Sequence, residues 1–157
     1  MRTGIGYDIH PFEHGRPLVL GGVTISHEAG LAGHSDADVL AHALIDALLG
    51  AAALGDIGRH FPPDDPSYRD ANSLDLLRRA VELVAKAGYR AVNVDATVIA
   101  EAPKLSPYID AMRAALANAL GLDVGAVSVK ATSSERLGPV GRGEGIAALA
   151  VALLDSI

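Results

Sequence analysis

Small or apolar positions alternate with polar ones through residues 2–12, the two-residue period of a strand whose successive side chains face opposite ways. Asp8 and His10 then share a face. Leu18-Val19-Leu20 and Val23-Thr24-Ile25 flank Gly21-Gly22, the signal of a tight hairpin, and His27 to His34 reads as loop. Ser35 and Asp36 are good N-caps ahead of a run from Asp38 to Leu54 with apolar residues at Leu40, Leu44 and Leu48, which predicts a helix ended by Gly55 and Gly58. Phe61 to Pro66 is too rich in proline for regular structure, so residues 55–70 are expected to form an exposed loop of a length that often carries function. Asn72 or Ser73 caps a second helix running to about Ala87, and Gly88 stops it. Ala91 to Ile99 alternates as a strand, Pro103 to Leu120 reads as a third helix, and the β-branched run Val127 to Thr132 as a further strand. Gly145 to Leu154 mixes four alanines, which favour helix, with Ile, Leu and Val positions that suit a buried strand; we read it as strand. The order is β, ββ, α, α, β, α, β, with no repeat or linker, so residues 1–157 are expected to form one domain.

Composition narrows the function. Half of the residues are apolar and a fifth charged, enough hydrophobicity to fold. A formal charge of −6 and only four Tyr and two Phe argue against nucleic-acid binding, which needs a basic surface and stacking rings. There is no cysteine, so a bound metal must be held by histidine and carboxylate. The apolar run Ile146 to Leu154 is too short to span a bilayer, and Met1-Arg2-Thr3-Gly4 leads into patterned sequence without a signal segment; the expectation is a soluble, cytoplasmic protein.

Several clusters bear on chemistry. Asp8-Ile9-His10 projects a carboxylate and an imidazole from one strand face, suitable for two ligands of one metal, though a hydrogen-bonded surface pair explains the same letters. Asp38, His42 and Asp46 form a polar stripe at i, i+4 and i+8, which read plainly is a solvated helix face. If strand face and stripe meet, Asp8, His10 and His42 supply three ligands with a fourth position open, and Asp46 orients the His42 ring. His34-Ser35-Asp36 stands where unpaired N–H groups and the helix dipole favour a phosphate, or is simply a cap. Lys130 to Arg136 combines three hydroxyls, the Glu135 carboxylate and two cations, which suit phosphate oxygens and a hard divalent ion; a capped turn accounts for them equally. Gly138 to Gly145 contains neither a Gly-Lys-Ser/Thr loop nor G-x-G-x-x-G, and no G-x-S-x-G elbow exists, which sets aside triphosphate, dinucleotide and serine-hydrolase sites.

Taken together, Gly6 to His10, Gly33 to Val39, Asp46 to Gly50, Gly55 to Gly58, Ala102-Pro103-Lys104 and Gly141 to Gly145 resemble, in order and along the whole chain, blocks of the 2-C-methyl-D-erythritol 2,4-cyclodiphosphate synthase family of the non-mevalonate isoprenoid pathway. The resemblance implies a single-domain α/β (mixed α+β) subunit, with a mixed β-sheet covered by helices, in a homotrimer whose active sites lie between subunits. It implies a phosphorus–oxygen lyase: 4-diphosphocytidyl-2-C-methyl-D-erythritol 2-phosphate closes on itself, the 2-phosphate attacking the β-phosphorus and expelling CMP.

By the same match, Asp8, His10 and His42 would hold Zn2+ or another divalent transition metal, and Glu135 a Mg2+ or Mn2+ on the diphosphate. His34, Ser133 and Asp56 would be the catalytic set, with Ser35 positioning the attacking phosphate. Substrate would also meet Ile9, Ile57 and Gly58, under a loop of Phe61, Pro62, Pro63, Asp64 and Asp65. Ala100, Glu101, Ala102, Pro103, Lys104, Leu105 and Ser106, with Ala131 and Thr132, would hold the cytidine diphosphate from the adjacent subunit, and Ser134 and Arg142 complete the substrate-binding set. Some members bind isoprenoid diphosphates in a central cavity near Arg142, but Pro139 and Tyr7 stand here where Phe is common, and Ser133 replaces a frequent Thr. The alternatives are a metal-dependent phosphohydrolase giving linear products, and a trimeric isoprenoid-diphosphate sensor without turnover.

Overall fold

Two glycines decide how the long first strand meets the main helix. In the computed structural model, which describes residues 1–157, β1 (Arg2–His14) lies directly on α1 (Val39–Ala51). A Cβ on Gly4 would stand 2.1 Å from the Ala47 carbonyl oxygen, and one on Gly6 1.9 Å from that of Ala43, so no larger residue fits either position. The helix is apolar nearly all round and is buried accordingly: only Asp46 and Gly50 escape the interior.

The chain adds a hairpin of β2 (Leu18–Leu20) and β3 (Val23–Ile25), then β4 (Ala29–Leu31), before α1. After it come α2 (Ile57–His60), α3 (Ser73–Lys86), β5 (Tyr89–Ile99), α4 (Ile109–Leu120), β6 (Val127–Thr132), α5 (Gly138–Gly141) and β7 (Gly145–Ser156). The main sheet has the order β4-β1-β7-β5-β6; β5 and β6 run parallel and every other pair antiparallel, so the sheet is mixed. Its inner face, α1, α3 and α4 enclose one apolar core of 36 buried residues. Ala148, Ala150 and Ala152 of β7 are buried on that face. They are small because α1 lies close, which is why a strand here carries the alanines of a helix.

Helices cover only one face of the sheet. On the other, Ile5, Tyr7 and Ile9 of β1 and Leu149 and Val151 of β7 are between 41% and 69% exposed, and the register sets Ile5 opposite Val151 and Tyr7 opposite Leu149. The result is a contiguous apolar surface of the kind that marks an association site. No helix is long and apolar enough to cross a membrane.

Several boundaries depart from the pattern. The segment His27 to His34 contains β4, a three-residue strand too short to show a period. The first helix starts at Asp38 as N-cap rather than at Ser35 or Asp36, and stops at Ala51, where Ala53 turns to φ 59°. The third helix begins at Ile109: Pro103 and Pro107 keep the preceding residues out of a regular ladder, leaving a 3₁₀ turn at Ser106–Tyr108. Residues 55–70 are not loop throughout, since they hold α2 and a 3₁₀ turn at Pro66–Tyr68, capped by Asp56 and Asp65.

Candidate active site

The polar stripe of α1 is not a solvated face. Asp38, fully buried, accepts hydrogen bonds from Ala41 N at 3.1 Å, Gly21 N at 2.9 Å and Gly22 N at 2.7 Å, tying the hairpin turn to the start of the helix. Burial pushes its carboxyl up, against the pull of the Ala41 and Gly22 N–H groups. One turn on, His42 points at β1. Its Nδ1 is 3.0 Å from Asp8 Oδ2 and 3.3 Å from His10 Nε2, and His10 Nε2 is 2.9 Å from the same Asp8 oxygen. Strand face and helix stripe therefore meet.

The donor set fits a metal. A tetrahedral ion with bonds of about 2.0–2.1 Å holds its ligands about 3.3 Å apart, close to the edges of this triangle. His10 Nδ1 donates to the Ala32 carbonyl at 2.6 Å, so its Nε2 presents a lone pair to the centre. Burial raises the Asp8 carboxyl, but hydrogen bonds and charge from His10 and His42 outweigh it and hold the group at about 2. Burial lowers His10 in turn, and Asp8 overcomes this to leave the imidazole above its ordinary value. These three residues form a compact group able to hold a metal ion.

A cavity of about 230 Å³ opens over the triad, lined also by His34, Ser35, Ile57, Gly58, Phe61, Pro63, Tyr68 and Leu76. His34 Nε2 donates to the Asp65 carbonyl at 3.0 Å, closing the loop against the helix entry, and Phe61 packs edge-on against Tyr68. Asp56 caps α2 through the Arg59 N–H at 2.9 Å. Asp46 does not orient the His42 ring as expected: its Oδ1 accepts the Ile57 N–H at 2.7 Å, fixing the turn after Asp56, while His42 Nε2 faces Ser73 and Ser35. Burial pushes the Asp46 carboxyl up against that hydrogen bond, helped by the nearby charges of Asp56 and Asp8. Tyr68 and Leu76 were not expected in the cavity. Beside the cavity, Arg16 was not singled out either: its guanidinium donates to the carbonyls of Gly33 and Ser35 at 2.6 Å each and so grips both sides of His34. A lone arginine in a loop carries no spacing that would have singled it out.

The remaining candidates lie elsewhere in the chain. Ala100, Glu101, Pro103, Lys104, Leu105, Ser106, Ala131 and Thr132 line a separate hollow of about 330 Å³ beyond the ends of β5 and β6. The Glu101 carboxylate is partly committed there: its Oε1 accepts from Ser134 N at 2.7 Å and steadies the following turn, where Glu135 and Arg136 both take positive φ. In that turn Ser133 Oγ donates to Glu135 Oε1 at 3.3 Å, away from the triad. Arg142 pairs with Glu144 at 3.2 Å in the open, and Ile9 lines a third hollow with Pro139 and Val140. Ala102, Pro62 and Asp64 line none of these hollows.

Known proteins are similar to this chain over nearly all of its length. A protein of Moorella thermoacetica named 2-C-methyl-D-erythritol 2,4-cyclodiphosphate synthase is 64% identical over 154 residues, 98% of this chain and 94% of that one. The structure of the bifunctional IspDF from Campylobacter jejuni superposes with a TM-score of 0.96 at 46% identity, over 99% of this chain and 42% of that chain. A CDP-bound 2C-methyl-D-erythritol-2,4-cyclodiphosphate synthase structure gives a TM-score of 0.90 at 38% identity, over 98% and 100%. The YgbB family model matches residues 1–155, which carry the triad, its cavity and the second hollow alike, and the chain belongs to the YgbB family.

Proposed function

We propose that the chain is a 2-C-methyl-D-erythritol 2,4-cyclodiphosphate synthase, closing 4-diphosphocytidyl-2-C-methyl-D-erythritol 2-phosphate to the cyclic diphosphate with release of CMP. The observation that carries this is the convergence of Asp8, His10 and His42 on one point in the lining of a cavity walled also by His34, Ser35 and the Ile57-Gly58 turn. An oxygen of the 2-phosphate forms a bond to the β-phosphorus, the bond from that phosphorus to the oxygen bridging the α-phosphate breaks, and the electron pair leaves on CMP. Such a transfer needs alignment and charge neutralisation more than covalent help. Bound Zn2+ on the triad, and Mg2+ or Mn2+ on Glu135, would supply positive charge to the phosphate oxygens. His34 and Ser35 orient the attacking phosphate, His34 and Ser133 stabilise charge in the transition state, and Asp56 with the Gly58 N–H fixes the erythritol hydroxyls. The loop Phe61 to Asp65 shields them from water.

Cytidine diphosphate takes the hollow around Lys104, Ala131 and Thr132. That hollow shares no residue with the triad cavity, so we read the two as walls of one site built by neighbouring subunits of a homotrimer packed through the open face of the sheet. Phosphorus NMR of the purified protein with the cytidylated substrate, zinc and magnesium tests the reaction. Cyclic diphosphate and CMP are expected to rise together; linear products, or none, refute it. Val151→Asp places a charge on the apolar face and is expected to yield monomers by light scattering and lose most turnover; a wild-type monomer in solution refutes the assembly. Lys104→Ala removes one charge-assisted bond of about 1.5–3 kcal/mol, so KM is expected to rise about 10- to 100-fold with kcat little changed. An unaltered KM removes Lys104 from the site.

A further inference from the structure

Ser73, fully buried at the first position of α3, has no part in the function proposed above. Its Oγ donates to Asp36 Oδ1, and its backbone N–H donates to Asp36 Oδ2 at 3.0 Å. Asp36 is itself pinned, accepting from Asp38 N at 3.1 Å and donating its own N–H to the Ala71 carbonyl at 3.0 Å. A carboxylate only accepts, so the Ser73 hydroxyl hydrogen is spent on Asp36 and the oxygen offers lone pairs. Those lone pairs face His42 Nε2 at 2.9 Å, which must then carry the ring hydrogen. The lone pair of the neutral ring is thereby on Nδ1, the atom that meets Asp8 and His10.

We propose that Ser73, held by Asp36, is the positioning residue that fixes the orientation and tautomer of the His42 ring for metal binding. This rests on the reading of Asp8, His10 and His42 as metal ligands. Ser35 also lies near Nε2, at 3.1 Å, and accepts the Ala37 N–H at 3.2 Å. With Nε2 protonated, the Ser35 hydroxyl hydrogen has no use on the ring; apart from a long 3.5 Å contact with the Ser73 oxygen it is left for an oxyanion in the cavity. The relay thus separates two serines that touch one nitrogen: Ser73 serves the ring, Ser35 the substrate. Asn72, not Ser73, caps α3 through Leu74 N at 2.9 Å, so the Ser73 side chain is not needed to start the helix.

Two measurements on the full chain test this. Nitrogen-15 NMR of the histidine-labelled, zinc-loaded wild type is expected to show His42 bound to zinc through Nδ1 with its proton on Nε2; zinc on Nε2, or a proton on Nδ1, overturns the relay without any variant being made. Zinc titration in competition with a chromophoric chelator is expected to show Ser73→Ala binding one zinc per chain about 10- to 100-fold more weakly than wild type, the usual effect of removing a partner that orients a ligand. Ser73→Thr, which keeps the hydroxyl, is expected to restore most of that affinity. Wild-type affinity in Ser73→Ala overturns the inference and leaves the ligand reading standing, whereas a wild type that binds no zinc overturns both.

Discussion

Replacing Asp38 with alanine is expected to destabilise the protein by about 3–5 kcal/mol, although its side chain touches neither the triad nor the cavity. The side chain is fully buried and is the acceptor for three backbone N–H groups, two in the hairpin turn and one in the first turn of α1. Losing a helix cap alone costs about 1 kcal/mol, and each buried N–H left without a partner about 1–3 kcal/mol. Against this, burial penalises the charged carboxyl, and its removal returns part of that cost. The remainder is still a large fraction of the roughly 5–15 kcal/mol by which domains are stable. Asp38→Asn is expected to recover only part, because one carboxylate oxygen accepts from Gly22 N and the other from Gly21 N, and an amide turns one of these acceptors into a donor. Urea unfolding reads both variants. An unchanged midpoint for Asp38→Ala would show that the hairpin does not depend on this carboxylate.

The same residue shows what a sequence conveys and what it hides. The spacing of Asp38, His42 and Asp46 located a polar stripe correctly but could not say that α1 is the central helix, sheathed by sheet and hairpin so that two of the three lie inside. Long strands and helices were legible where their period ran for several residues: β1, β5, β6 and α3 fall within a few residues of their expected places. Elements set by neighbours were not. β4 exists because three residues pair with Phe12 to His14, and α4 starts late because prolines spoil its first turns. For the triad, the signal was local on each element, two apart on a strand and one turn within a helix, and only their meeting needed the fold. Arg16 and Ser73 act through carbonyls and a hydroxyl that are near in space alone, so nothing along the chain pointed to them. Asp46 shows the converse, since helical spacing set it one turn from His42 while its carboxylate turned to a loop N–H.

Replacing His42 with alanine is expected to abolish stoichiometric zinc and to lower cyclisation at least about 10³-fold while the chain stays folded. The loss follows from the ligand count. Asp8 and His10 alone supply two donors from alternate positions on one strand face, and a catalytic zinc site takes three from the protein. Charge neutralisation at a phosphoryl oxygen is worth several kcal/mol, and each 1.4 kcal/mol is about tenfold in rate. The fold is spared because the ring's partners keep alternatives. The Asp8 side chain is 26% exposed and can rehydrate, and Ser73 retains Asp36. The ring lines the cavity, so its loss opens a space that water can fill. Acid should act in the same sense as the substitution. His10 lies above its ordinary value, so protons compete with the metal for Nε2 from a higher pH than they would for a free imidazole, and zinc affinity falls as pH drops through that range. Elemental analysis with phosphorus NMR distinguishes the outcomes: one zinc per chain retained by His42→Ala would mean that the metal is held elsewhere, and the triangle at Asp8, His10 and His42 would then be only a hydrogen-bonded cluster.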